Sequence, residues 1–146
     1  MAIRFTVNDK ELNKALERMT ADGLVRGVQF YHTQLRLAVN VPNSGVRVKV
    51  KRQTAGGNKR TRTVYSNPSK PGEPPRKRTG FGQSQIVREI NKAKLSGRVG
   101  VTKNGIYMAY LDLGTKHIAR RPFFMPTLMK NKAIIARLFV SGGPKI

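Results

Sequence analysis

The chain has no cysteine, no tryptophan and only seven acidic residues among 146. Without cysteine there is no disulfide framework, no thiolate metal site and no cysteine nucleophile. The two histidines, His32 and His117, stand far apart in sequence and offer little for a zinc site. No apolar run approaches the roughly 18 residues that begin to read as a membrane span, so no membrane partner is expected. The opening residues, MAIRFTVNDK, lack the long apolar core of a signal peptide. A cytoplasmic origin fits these absences, and so does life in a particle outside the cell.

The scarcity of acids also limits chemistry. Acid–base catalysis commonly needs paired carboxylates or a histidine with a partner. Asp9, Glu11, Glu17 and Asp22 sit in the first helical region, where capping and solubility account for them. Of the rest, Glu89 and Asp112 could meet across a sheet, as the two carboxylates of a magnesium nuclease do, but their spacing matches no known motif. His117, beside Arg120 and Arg121, reads as a solvated or interface imidazole. Residues 56–59, GGNK, lack the Gly-Lys-Ser/Thr ending of a phosphate loop and read as a hairpin turn. The expectation is a chain that is no enzyme and carries no cofactor or metal.

Cations are abundant: 29 Lys and Arg give a net charge of +22. Such a surplus repels itself in a compact fold and calls for something negative, whether nucleic acid, an acidic protein surface or anionic lipid. The length fits one domain.

Alternation predicts a strand at residues 3–7, and Asn8 with Glu11 makes a capping box for a helix running to about Thr20, with Leu12, Leu16 and Met19 on one face. Asp22-Gly23 breaks that helix. Leu24, Val28, Tyr31, Leu35 and Ala38 mark a second helix over Leu24–Val39. Val46, Val48 and Val50 alternate with cations and lead through AGGNK to a returning strand at residues 60–65, a β-hairpin with a basic face. The Pro- and Gly-rich segment SNPSKPGEPPRKRTG follows, unsuited to helix or central strand. Strands are predicted at residues 86–91 and 97–101, then a tight turn at Lys103-Asn104-Gly105, and a strand or helix at Ile106–Leu113. Pro126 suits the first position of a last helix reaching about Val140, with Leu128, Ile135, Leu138 and Phe139 on one side. The class is α+β: a small antiparallel sheet on a long N-terminal-half helix and a C-terminal helix, with residues 46–80 as an extended basic arm inside a single domain.

That arm holds eleven Lys or Arg from Arg47 to Arg78 against one acid, Glu73. Arg47, Lys49, Lys51, Arg52, Lys59, Arg60, Arg62, Arg76, Lys77 and Arg78 are its candidate partner-facing or DNA-facing residues. Three fates stay open for it: docking on an acidic protein surface, salt-dependent nonspecific contact with duplex DNA, or plain solvation. With only Tyr65 and Phe81 in or beside the run, base stacking of the single-strand kind is not expected.

Four blocks carry a resemblance: PGEPPRKRTGFGQSQI (71–86), RVGV (98–101), YMAYLDLGT (107–115) and RRPFFMPTL (120–128). Their order and spacing resemble the tail-completion or neck proteins of long-tailed bacteriophages, the gene-product-10-like family, from about Leu12 to Phe139. The hairpin looks like an elaboration of that family's usual loop, and Asp112-Leu113 stands where Glu-Phe is frequent. The resemblance implies a structural virion protein that caps the tail tube and joins it to the head-side connector, commonly as a six-membered ring, with passing duplex DNA as a further contact. It implies motif or subunit-interface roles for Thr79, Gly80, Tyr107, Tyr110, Gly114, Thr115, Arg121 and Pro122. The competing reading is a nonspecific basic nucleic-acid-binding protein.

Physically, Gly80 and Gly114 are expected at backbone angles closed to other residues. Tyr107 and Tyr110 offer apolar faces with polar tips. Arg121, extended before Pro122, is expected to aim its guanidinium at a carboxylate. Phe123 and Phe124 are expected to anchor the last helix.

Overall fold

The computed structural model describes residues 9–17, 20–42, 47–53, 56–57, 59–65, 69–77 and 79–140. The expected strand at residues 3–7, Asn8 and Met19 lie outside them. The architecture is α+β: α1 (Lys10–Glu17), α2 (Ala21–Ala38), β1 (Arg47–Gln53), β2 (Lys59–Tyr65), α3 (Phe81–Ser84), β3 (Ile86–Asn91), β4 (Ser96–Val101), α4 (Ile106–Leu113) and α5 (Phe124–Val140). Each strand pair forms its own two-stranded antiparallel sheet.

The helix starts differ from the sequence reading. Asp9 caps α1: its Oδ1 accepts the backbone N–H of Glu11 (3.0 Å) and Leu12 (3.4 Å). The inward face of α1 is Leu12 with Ala15, while Leu16 is exposed. Asp22-Gly23 does not break a helix but lies in the first turn of α2, where Thr20 Oγ1 accepts the Gly23 N–H at 3.1 Å. Glycine sits there because α5 crosses at that point. A methyl added to Gly23 would meet the Phe139 carbonyl, and one on Gly27 would meet the Phe139 ring. The missing side chains thus let the two helices close up, a demand from tertiary packing that local propensity does not register.

The long helix α2 carries the core along its length. Towards one end Leu24 and Val28 pack with Leu12 of α1 and with Leu128, Ile135 and Phe139 of α5. Towards the other, Leu35 and the following Val39 pack with Ile86 of β3, Val101 of β4, Met108 and Ala109 of α4, and Phe123-Phe124. Tyr31 touches both groups, and its hydroxyl donates to the Phe124 carbonyl at 3.0 Å. Burial, then the nearby Asp112 charge, raises the Tyr31 pKa far above its usual value, so it stays a protonated donor.

The register of β3 and β4 pairs Ile86 with Val101, Arg88 with Val99 and Ile90 with Gly97. That set faces α2, where a Cβ on Gly97 would strike Val28. His32 of α2 completes the seam. Arg88 Nη1 donates to its Nδ1 (3.2 Å), which leaves Nε2–H to donate to the Ile86 carbonyl at 3.0 Å.

Lys103–Gly105 is a short 3-10 turn leading directly into α4, so the segment 106–113 is helix rather than strand. The last helix begins at Phe124 and not Pro126. Pro126 still falls in the first turn, where its missing N–H breaks no helical hydrogen bond. Among the described residues, no helix is long and apolar enough to cross a membrane.

Two measurements check this packing. Gly23→Ala should gain about 1 kcal/mol of helix propensity yet lose about 1–3 kcal/mol to overpacking against an immobile carbonyl. A net fall in the urea midpoint is expected. Lys132 Nζ on α5 bonds Asp9 Oδ2 at 3.1 Å and lies 3.6 Å from Glu11 Oε2. The Lys132 hydrogen bond leads the effects that hold the Asp9 carboxyl below its ordinary 3.8. A carboxyl with a lowered folded-state pKa stabilises at pH above its unfolded value and loses that contribution as pH falls. The melting-temperature gap between wild type and Asp9→Asn should therefore be open at neutral pH and close as pH drops below about 4.

Candidate functional site

Three surfaces bear on function: the hairpin, the pair of loops at residues 69–77 and 114–123, and the outer face of α4. The hairpin register is Arg47 with Tyr65, Val48 with Val64, Lys49 with Thr63, Val50 with Arg62, Lys51 with Thr61, Arg52 with Arg60, and Gln53 with Lys59. Among the described residues no third strand joins this ladder, and an isolated two-stranded hairpin is marginal in water.

After the hairpin, residues 69–77 fold back as a tight loop. Lys70-Pro71-Gly72-Glu73 forms a turn: Gly72 has φ +87°, Glu73 N–H donates to the Lys70 carbonyl at 3.1 Å, and Glu73 Oε2 accepts the Lys70 N–H. Proline followed by a left-handed glycine is the pattern this turn requires. Glu73 also pairs with Arg76 at 3.5 Å. Lys77 N–H donates to the Val41 carbonyl, and Lys77 bridges to Pro42. Arg78 lies outside the described residues.

Residues 114–123, between α4 and α5, form the opposing strip. Gly114 has φ +77°, as expected, and Gly80 has φ +80°. Thr115 and Ile118 exchange backbone hydrogen bonds (2.9 and 3.2 Å), and Thr115 Oγ1 accepts from the His117 and Ile118 N–H groups. Lys116 and His117 sit exposed at the tip of that turn. Gly72 N–H donates to the Arg120 carbonyl at 2.9 Å, tying the two loops together. Arg121 does not reach a carboxylate: its Nε donates to the Ser69 carbonyl at 3.2 Å. Its backbone N–H, pinned to the Leu111 carbonyl at 2.6 Å, directs it towards the loop.

Asp112 organises this region. It is 1 % exposed, and its Oδ1 accepts the N–H groups of Phe123 (2.7 Å) and Phe124 (2.9 Å) at the start of α5. Asp112 lies on a helix and Glu89 is exposed on β3 opposite Arg98, so the pairing across a sheet does not form. Among the described residues no group of three acids or histidines is placed to hold a metal. Phe123 and Phe124 are fully buried and pack ring to ring at 4.7 Å, anchoring α5 as expected.

The outer face of α4 joins Tyr107 and Tyr110, to which the resemblance gives subunit-interface roles, with Leu113 and Phe81, which the sequence reading did not include. Tyr107, Tyr110 and Leu113 recur at three-residue steps and are all exposed. Phe81, next to Gly80, stacks on Tyr107 with centroids 6.4 Å apart and planes 11° from parallel. Thr79 Oγ1 accepts the Phe81 N–H at 3.3 Å. The stack needs close approach: a Cβ on Gly82 would collide with Tyr107 Oη and Met108 Sδ. Phe81 and Tyr107 are 26 positions apart, so only the spacing of Tyr107, Tyr110 and Leu113 was available as a sequence signal.

No family model, no curated protein and no solved structure matches this chain.

Asp112→Ala would remove the carboxylate that accepts two buried N–H groups, at about 1–3 kcal/mol for each lost bond. Asp112→Asn keeps an acceptor oxygen and should retain much of that stability. Chemical denaturation of both variants checks the ordering.

Proposed function

We propose that this chain is a structural protein of a phage virion that closes the end of the tail tube and joins it to the head-side connector, as a ring of copies. The observation that carries the reading is the exposed stripe of Phe81, Tyr107, Tyr110 and Leu113, held on a chain of charge +22. Contiguous exposed apolar surface marks association sites, and tyrosine is favoured at their centres. The stripe is made from the blocks whose order resembles the neck proteins, which supports the same reading. In this scheme the stripe meets the neighbouring copy. Within the arm from Arg47 to Arg78, most of the hairpin charge docks on acidic surfaces of adjoining proteins, a minority of the cations faces duplex DNA, and those partners cover the open strand edges. The chain is non-catalytic in this reading. Its acids support it: Asp112 is engaged in capping, Asp9 in an ion pair and Glu73 in a loop turn.

Two experiments test the proposal. Tyr107→Ser/Tyr110→Ser should keep the monomer fold by circular dichroism and abolish rings seen by negative-stain microscopy and sedimentation. Replacing Arg60, Arg62, Arg76 and Arg78 by Ser should leave rings intact while blocking the joining of tails to filled heads. A wild-type chain that stays monomeric at every concentration, alone and with tail tubes, would reject the ring and favour the basic nucleic-acid-binding alternative.

A further inference from the structure

The loop at residues 69–77 and the connector at residues 114–121 form one surface, locked by the Gly72-to-Arg120 and Arg121-to-Ser69 hydrogen bonds. Its charged groups are Lys70, Arg76, Lys77, Lys116, Arg120 and Arg121, against Glu73 alone. Glu73 is already held by Arg76 and by the Lys70 N–H.

The two arginines are set in the same way. Arg120 Nε donates to the Asp112 carbonyl at 3.1 Å, and Arg121 Nε donates to the Ser69 carbonyl at 3.2 Å. Each guanidinium is fixed through one nitrogen to backbone. Among the described residues, its terminal Nη pair meets no acceptor. A guanidinium held by Nε presents those two nitrogens as a fork matched to an oxyanion, with less entropy left to lose on binding. Lys116 adds a point charge at the tip of a closed turn.

The make-up of the surface selects the anion. Among the described residues of both loops, no large apolar side chain is exposed. A protein partner needs apolar or aromatic anchors at the centre of its contact, and this chain holds them elsewhere, on α4. Neither loop contains Phe, Tyr or Trp, so nothing offers a platform for unpaired bases. What is left is a fixed array of forks and point charges suited to repeating phosphates.

We infer that this two-loop surface binds the phosphodiester backbone of double-stranded DNA, without sequence preference and apart from the hairpin. The inference rests on charge and hydrogen bonding and does not depend on ring formation.

The test uses the full chain and a labelled random-sequence duplex, with binding followed by anisotropy over a range of salt. Each phosphate contact adds about 0.9 to the slope of log affinity against log salt. Lys70→Gln/Lys116→Gln changes two exposed side chains that carry no hydrogen bond, and should lower that slope by about 2 with melting unchanged. Arg120→Lys/Arg121→Lys, which keeps the charge and removes the forks, should weaken binding several-fold while preserving most of the slope. Three results would overturn the inference. One is a slope unmoved by the loop variants and reduced only by Arg60→Ser/Arg62→Ser, which would assign the contact to the hairpin. Another is polyglutamate binding as tightly as the duplex at equal salt, which would assign the surface to an acidic protein. The third is an absence of duplex binding at low salt.

Discussion

One buried carboxyl determines where much of this molecule goes. Asp112 reaches from the end of α4 to the first N–H groups of α5, capping a helix from outside its own segment. Helix starts attract negative charge because their donors are unpaired and their dipoles aligned. The same residue places the Phe123-Phe124 pair in the core and, through its carbonyl, holds Arg120. The connector between the helices is thereby pinned, and the proline-rich loop is hung on the connector. An aspartate weighed, and set aside, as a partner for Glu89 is the bracket for the basic surface.

What could be read from the sequence was whatever period and charge encode. The α2 stripe, the basic hairpin, the strands β3 and β4, the last helix and the positive-φ Gly80 and Gly114 follow from spacing and turn chemistry. The failures share a cause: each was decided by a partner distant in sequence. Gly23 reads as a helix breaker until α5 is laid across it. Leu16 scores as a core residue, yet Ala15 is buried in its place. Ile106–Leu113 is ambiguous by pattern, since its buried Met108, Ala109 and Asp112 and its exposed tyrosines do not separate by polarity. The Phe81–Tyr107 stack has no trace in any single window.

The surface divides its tasks. Aromatic rings gather on one helix face and cations on two fused loops, while the hairpin adds a further block of charge. Under the proposed function, such a division would let one chain meet two kinds of neighbour at once, one through apolar contact and one through salt-sensitive attraction. It also reconciles a strongly charged composition with a well-filled interior, because few of the cations are asked to enter it.

The hairpin is a ladder of two strands, Arg47–Gln53 against Lys59–Tyr65, with no third strand beside it among the described residues. A two-stranded ladder is marginal alone and gains order from a ligand that binds only its paired form, since such a ligand shifts the equilibrium towards that form. Under the proposed assembly, the stiffness of these strands would be set by the presence of a counter-surface.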